Sequence, residues 1–85
     1  MTNFTACFHS ILPPDGLKKL NDECAIMVGV APCNIEHHDD LTHFTLTTQV
    51  NEEETTAEDF FNEIASDLSR WVGSAVYLDE IFVDD

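Results

Sequence analysis

Apolar and polar residues alternate along two stretches of the chain, as they do in strands that are buried on one side. Over residues 4–11 one face is apolar, and the opposite face carries Thr5, Cys7 and His9. Residues 43–50 give the clearest pattern, because β-branched and aromatic residues dominate them. Both stretches predict strands with one face toward a core and the other toward solvent.

The chain between these strands predicts a helix and a short strand. A proline pair at positions 13 and 14 can open the helix, since proline is tolerated in the first turn. Apolar residues then recur at helical spacing from Leu17. The apolar residues 25–31 fit either the end of this helix or the start of a strand. We favour a helix to about Met27 and a strand that reaches about Glu36, with residues 37–40 as a polar connection.

A second helix is predicted after the acidic loop that follows the third strand. Thr55 and Glu58 have the spacing of a capping box, in which each side chain bonds the backbone N–H of the other residue. Gly73 ends the helical pattern. The apolar stripe between them consists of Ala57, Phe60, Phe61, Ile64, Ala65, Leu68, Trp71 and Val72. Because a small domain needs its large apolar side chains to form a core, we expect Trp71 to be buried.

Residues 75–83 predict the last strand, and the Asp79-Glu80 pair inside it indicates a bulge or an edge strand. The element order is then β-α-β-β-α-β, which favours a four-stranded antiparallel sheet with two helices on one face. We therefore predict an α+β fold, a ferredoxin-like sandwich, with residues 1–85 as a single small domain. This fold hosts many functions and does not indicate one by itself.

The chain of 85 residues carries three Lys+Arg against seventeen Asp+Glu, a formal net charge of −14 at pH 7. Residues 36–85 hold fourteen acids and one arginine, whereas residues 1–35 carry a net charge of −1. Such a charge opposes direct binding to nucleic acid or to an anionic membrane, because both need Lys and Arg. The sequence has neither a secretory signal nor an apolar run of about 18 residues that would predict a membrane span. Three cysteines without CxxC spacing indicate free thiols, so we expect a cytoplasmic location.

The acidic residues suggest an interaction surface. Asp59, Glu63 and Asp67 are spaced four apart, so they align along one edge of the second helix. We expect them to converge with acids of the preceding loop and the last strand on one anionic surface. This predicted partner-binding set comprises Glu52, Glu53, Glu54, Asp59, Glu63, Asp67, Asp79 and Glu80. It favours a mimic of the DNA phosphate backbone that blocks a basic nucleic-acid-binding protein; the alternative is a surface that serves solubility alone.

In size and charge the chain resembles the small acidic inhibitors that phages make against host nucleases. Among them are anti-CRISPR and anti-restriction proteins that imitate DNA. The resemblance implies a non-enzymatic inhibitor whose target is a nuclease or a component of a CRISPR or restriction system, in the host cytoplasm. Because it rests on composition, the resemblance assigns no role to any single residue.

Histidine and cysteine residues suggest an alternative function. Cys7 and His9 share the outer face of the first strand, and His43 begins the outer face of the third, so His9 could face His43. With His37, His38, Asp39 and Asp40 in the adjoining connection, these residues are candidate ligands for zinc or a similar ion. The alternative is then a small regulatory module that binds a metal ion or small ligand and forms a homodimer through its sheet. No catalytic or phosphate-loop motif is present, so we predict neither an enzyme nor a cofactor.

Overall fold

The computed structural model describes residues 2–11 and 16–84 of the chain. Its elements follow the predicted order: β1 (Thr2–Ser10), α1 (Leu17–Val28), β2 (Cys33–His38), β3 (Leu41–Val50), α2 (Ala57–Val72) and β4 (Val76–Val83). The predicted helix opening at the proline pair lies outside the described residues. Within the described ranges, no helix is long and apolar enough to cross a membrane.

The four strands form one antiparallel sheet in the order β2-β3-β1-β4. The central strands β1 and β3 pair without interruption, from Thr2 opposite Val50 to Ser10 opposite Thr42. Consecutive strands along the chain are therefore not all neighbours in the sheet, since α1 and α2 carry the chain across it. The protein is an α+β fold with a four-stranded antiparallel sheet and two helices, as the sequence predicted.

The last strand, β4, is an edge strand and also contains a bulge, so both readings of its Asp79-Glu80 pair are confirmed. Cys7 lies opposite Glu80, whereas the next residue, Phe8, lies opposite Leu78. Asp79 is therefore the extra residue of the bulge. An edge strand that is bent by a bulge and carries charge is protected against pairing with other chains.

One face of the sheet packs against both helices and contains the core. Leu20 and Cys24 are the buried residues of α1, and α2 contributes four more. Among the residues that the structure describes, the buried core consists of Phe4, Ala6, Phe8, Leu20, Cys24, Phe44, Leu46, Val50, Phe61, Ile64, Ala65, Leu68 and Val76. We call this side the helix face.

No element of the described chain covers the opposite side, which we call the open sheet face. The strand register, and for Asp79 its hydrogen bond with His9, place these residues on it: Asn3, Thr5, Cys7, His9, Cys33, Glu36, His38, Leu41, His43, Thr45, Thr47, Gln49, Tyr77, Asp79, Glu80 and Phe82. It is therefore a mixed surface of small polar residues, imidazoles, carboxylates and two aromatic rings.

The ambiguous apolar run is the end of the first helix. Helix α1 continues to Val28, and Gly29 follows it with a left-handed φ of 75°, its N–H bonding the carbonyl of Ala25 at 3.1 Å. This is the conformation that glycine adopts at helix ends without a steric cost. Strand β2 then begins at Cys33 and extends to His38, so residues 37–38 belong to a strand rather than to the polar connection that the sequence predicted.

The start of the second helix differs from the prediction by one residue. The N-cap is Thr56, whose hydroxyl accepts a hydrogen bond from the backbone N–H of Asp59 at 3.1 Å. Thr55 belongs to the preceding turn, where its own N–H bonds the carbonyl of Asn51 at 3.2 Å. The predicted box of Thr55 and Glu58 is therefore wrong. Gly73 ends the helix as predicted, with a φ of 76°.

Trp71 is not a core residue, contrary to the prediction. Its relative exposure is 53 %, whereas Phe61 and Leu68 on the same helix are fully buried. At 100° per residue, Trp71 stands about 60° away from Leu68 around the helix axis, on the margin of the buried stripe. The stripe that contacts the sheet is therefore narrower than the apolar pattern of the sequence.

Candidate functional site

The acidic loop after β3, the start of α2 and the end of β4 meet at one end of the molecule. Thr2, at the first position of β1, donates a hydrogen bond to Oε2 of Glu52 at 3.1 Å. The backbone N–H of Asp84 bonds the carbonyl of Asn3 at 2.9 Å, which ties the chain after β4 to the same end. We call this the acidic end, and its residues are Glu52, Glu53, Glu54, Glu58, Asp59 and Asp84.

The lysines and the arginine lie toward the opposite end. Arg70 is in the last turn of α2. Met27, near the end of α1, lines a groove with residues from the earlier part of α2. The two helices are therefore antiparallel. Lys18 and Lys19, at the start of α1, lie toward the end of α2. In the described part of the chain, the acidic end therefore contains no Lys or Arg. The cations are therefore confined to the opposite end, but acids lie at both ends, because Asp39 and Asp40 occupy the turn between β2 and β3.

The structure distributes the predicted partner-binding set over three neighbouring parts of the molecule. Glu52, Glu53, Glu54 and Asp59 lie at the acidic end, where they are exposed. Glu63 and Asp67 continue from it along α2 and line the groove of about 270 Å³ that separates the two helices. Asp79 and Glu80 lie in the β4 bulge and belong to the open sheet face. A groove lined by Glu58 of the acidic end also contains Asp79 and Glu80, so the bulge adjoins the acidic end along the β4 edge.

Four planar side chains form a row across the open sheet face, one from each strand. His9 and His43 are opposite each other in the β1–β3 register, as the sequence predicted, and their ring centroids are 6.0 Å apart. Tyr77 stacks on His9 with centroids 5.0 Å apart, and His38 lies 6.2 Å from His43. We call His38, His43, His9 and Tyr77 the ring row.

Carboxylates flank the ring row on both sides. His9 donates through Nδ1 to Oδ1 of Asp79 at 2.6 Å, and Oε2 of Glu36 lies 3.3 Å from Nε2 of His38. The bulge in β4 brings Asp79 into reach of His9, because it inserts this residue beside Tyr77. The open sheet face carries no Lys or Arg in the described chain, so its formal charge is negative when the histidines are neutral.

The candidate metal ligands do not assemble. His37 lies on the helix side of β2, where its Nδ1 is 3.0 Å from Oγ1 of Thr42. Burial, and then the carboxylates of Glu80 and Asp79, raise the pKa of the Cys7 thiol, which opposes the thiolate that a metal needs. Among the described residues, no group of three or more His, Cys, Asp or Glu side chains has the geometry to hold a metal ion.

Sequence reasoning missed two members of this surface. Tyr77 joins the ring row and Glu36 flanks it, although neither was a candidate, whereas His38 was among the candidate ligands. Tyr77 is 52 % exposed on the edge strand β4, whereas its neighbour Val76 is buried. The alternation of β4 could have identified it, since Tyr77 and Val76 must point to opposite faces.

No family model, curated protein or solved structure matches this chain. The acidic end and the ring row are therefore the features from which its function can be inferred.

Proposed function

We propose that this protein is a non-enzymatic inhibitor whose acidic end docks onto a basic, nucleic-acid-binding surface of another protein. The observation that carries this proposal is a cluster of acids that, in the described part of the chain, contains no cation. Six carboxylates lie together at the acidic end, whereas Lys18, Lys19 and Arg70 lie toward the other end. We also infer that the sandwich is of the ferredoxin-like type, because its strand order and element order fit that arrangement.

The spacing of the acids supports imitation of a phosphate backbone. Asp59, Glu63 and Asp67 continue from the acidic end along α2, with a rise of about 6 Å between successive carboxylates. Like charges at this spacing destabilise a helix by about 0.2–0.5 kcal/mol per pair, and Arg70, three residues after Asp67, is the one basic residue of α2. The helix dipole favours Asp59 in the first turn, but it does not compensate Glu63 in the middle of the helix, which is consistent with a binding role.

The partner that fits such a surface is a protein with a groove for nucleic acid. Its Lys and Arg side chains would meet carboxylates instead of phosphates, so DNA and this protein would compete for the same groove. A nuclease or a component of a CRISPR or restriction system is the partner class that this mechanism would inhibit, in the cytoplasm of the host cell. Association would be fast and would weaken as salt rises.

A capture experiment with competing DNA tests this proposal. The protein is immobilised and exposed to a cell lysate with and without excess duplex DNA. We expect it to retain a nuclease or another DNA-binding protein that DNA displaces. Retention of no such protein, or retention that DNA does not affect, would contradict the proposal.

A charge-matched pair of variants localises the contact. The triple variant Glu52→Gln, Glu53→Gln, Glu54→Gln removes three charges from the acidic end. The control variant removes three charges outside the acidic end, through Asp22→Asn, Glu23→Gln and Asp40→Asn. We expect the first variant to lose the partner and the control to keep it. Equal losses in both would show that total charge, rather than the acidic end, determines binding.

A second copy on the open sheet face has less support than the basic partner. Dimers through this face would bring the carboxylates of Glu36, Asp79 and Glu80 toward the same groups of the other copy. Each chain also carries a net charge of −14, which opposes association of identical copies. The open sheet face therefore favours a partner of opposite charge.

A further inference from the structure

The ring row is a line of four tilted rings on the open sheet face, in which the planes of neighbouring rings are inclined by 24° to 57°. It crosses all four strands, and adjacent strands are about 4.8 Å apart, so it spans about 14 Å. Its neighbouring rings are separated by 5.0 to 6.2 Å, which leaves no aliphatic side chain between them in the row. Tyr77 is 52 % exposed although it stacks on His9, and Phe82, farther along the same edge strand, is 48 % exposed.

The charge around this surface selects its ligand. Glu36 flanks the row at the β2 edge, and Asp79 and Glu80 flank it at the β4 edge. These carboxylates disfavour an anionic ligand, including nucleic acid, even though imidazole and phenol rings could stack on bases. A cation that is also planar would satisfy the rings and the carboxylates together.

We propose that the ring row binds arginine side chains of the basic partner. A guanidinium group stacks on ring faces and pairs with a carboxylate in the same plane, whereas a lysine ammonium is compact and strongly hydrated. Asp79 is held in place beside the row by its 2.6 Å hydrogen bond from His9, so one carboxylate is positioned before the ligand arrives. This inference depends on the proposed function only in that the natural partner must be basic.

A pair of model peptides provides the test. Hexa-arginine and hexa-lysine carry equal charge, and their binding to the intact protein is compared by fluorescence anisotropy at low salt. We expect hexa-arginine to bind about two- to fivefold more tightly, which is the range for guanidinium–ring contacts at exposed sites. Equal affinities, or no measurable binding of either peptide, would overturn the inference.

If the ring row binds arginine, its variants must change the ratio of the hexa-arginine and hexa-lysine affinities, and not only the affinities themselves. We expect the double variant His43→Ala, Tyr77→Ala to reduce the arginine-to-lysine ratio to about one and to leave hexa-lysine binding unchanged. The matched control is His37→Ala, because His37 lies on the other side of the sheet and should not affect the ratio. Circular dichroism confirms that each variant is folded; a folded double variant that keeps the ratio would overturn the inference.

The two proposals fail in different ways. The triple glutamine variant at the acidic end should weaken both peptides equally and keep their ratio, since the ring row is intact. If the ratio responds to the ring variants but the lysate yields no partner that DNA displaces, the arginine site holds and the inhibitor function fails. If the partner is captured but the peptides bind equally, only the arginine site fails.

Discussion

The two faces of the sheet are built from the same strands, but different factors determine which residues meet on each face. On the helix face, β1 contributes Phe4, Ala6 and Phe8, none of them more than 7 % exposed, and their positions follow from alternation and the need for a core. On the open sheet face, the neighbours of Cys7 and His9 depend on strand order, register and bulges. A core can therefore be predicted from one strand at a time, whereas a surface site requires the whole sheet.

The comparison predicts that equal truncations on the two faces have very different costs. Phe8 is fully buried, stacks on Phe44 at 5.2 Å and meets the edge of Phe61 at 6.3 Å. We expect Phe8→Ala to lower the free energy of unfolding by about 3–5 kcal/mol, through lost burial and the cavity that remains. Urea denaturation followed by circular dichroism measures this change.

The control for this prediction is Tyr77→Ala on the open sheet face. Because Tyr77 is half exposed and contacts His9 through one stacked pair, we expect a loss below about 1.5 kcal/mol. A cost for Tyr77→Ala as large as that for Phe8→Ala would mean that the open sheet face contributes to the core.

The same contrast explains which parts of the structure the sequence could predict. The strand faces, the end of α2 at Gly73 and the bulge beside Asp79 all follow from local patterns. The face of His37 does not, because β2 contains a second bulge: Cys33 to Glu36 spans one more residue than the opposing stretch of β3. One inserted residue exchanges the two faces of everything that follows it.

That exchange decided the composition of the candidate site. His38, rather than its neighbour His37, joins the ring row, and Asn34 in the bulge has a left-handed φ of 51°. No apolar alternation marks β2, since Ile35 is its only half-buried residue. The faces of β1 and β3 could be assigned from the sequence, because hydrophobic burial determines the register of these two strands.

The second prediction compares the cysteines of the two faces at high pH. Burial, with a smaller contribution from Glu23, raises the pKa of the Cys24 thiol to about 12, from an ordinary value of 9.0. The unfolded chain therefore loses this proton before the folded protein does. The resulting stability is fully present below pH 9.0 and is lost as the pH rises from there toward about 12.

Thermal melts across this alkaline range measure the effect. We expect the melting temperature of the wild type to fall more steeply than that of Cys24→Ala, which is less stable overall but lacks the titrating thiol. Each tenfold difference in proton affinity corresponds to about 1.4 kcal/mol. Cys33→Ala is the control, because Cys33 is exposed on the open sheet face and its removal should leave the wild-type slope. Equal slopes in the wild type and Cys24→Ala would refute the prediction.

The third prediction concerns the helix that covers the core. Thr56 caps α2 through the N–H of Asp59, so Thr56→Ala should lower the free energy of unfolding by about 1 kcal/mol. Thr55→Ala should have a smaller effect, since the hydroxyl of Thr55 contacts only the carbonyl of Thr56 in the turn. Denaturant titration of both variants distinguishes them. If Thr55→Ala destabilised the protein more than Thr56→Ala, the result would support the capping box that the sequence predicted at Thr55.

The smallest expected effect concerns the like charges of Asp59, Glu63 and Asp67 on α2. It tests whether these acids contribute to folding or serve another purpose. Glu63→Gln removes repulsion with Asp59 and Asp67, which are four residues away on either side, so we expect stabilisation by a few tenths of a kcal/mol. Asp22→Asn on α1 should have the opposite sign, because Asp22 pairs with Lys18 at 3.5 Å, although both side chains are exposed and the contribution is small. Both effects should vanish at about 1 M salt, where the screening length is about 3 Å. If Glu63→Gln destabilises the protein instead, Glu63 has a role in folding, and these acids lose their value as an indication of a binding surface.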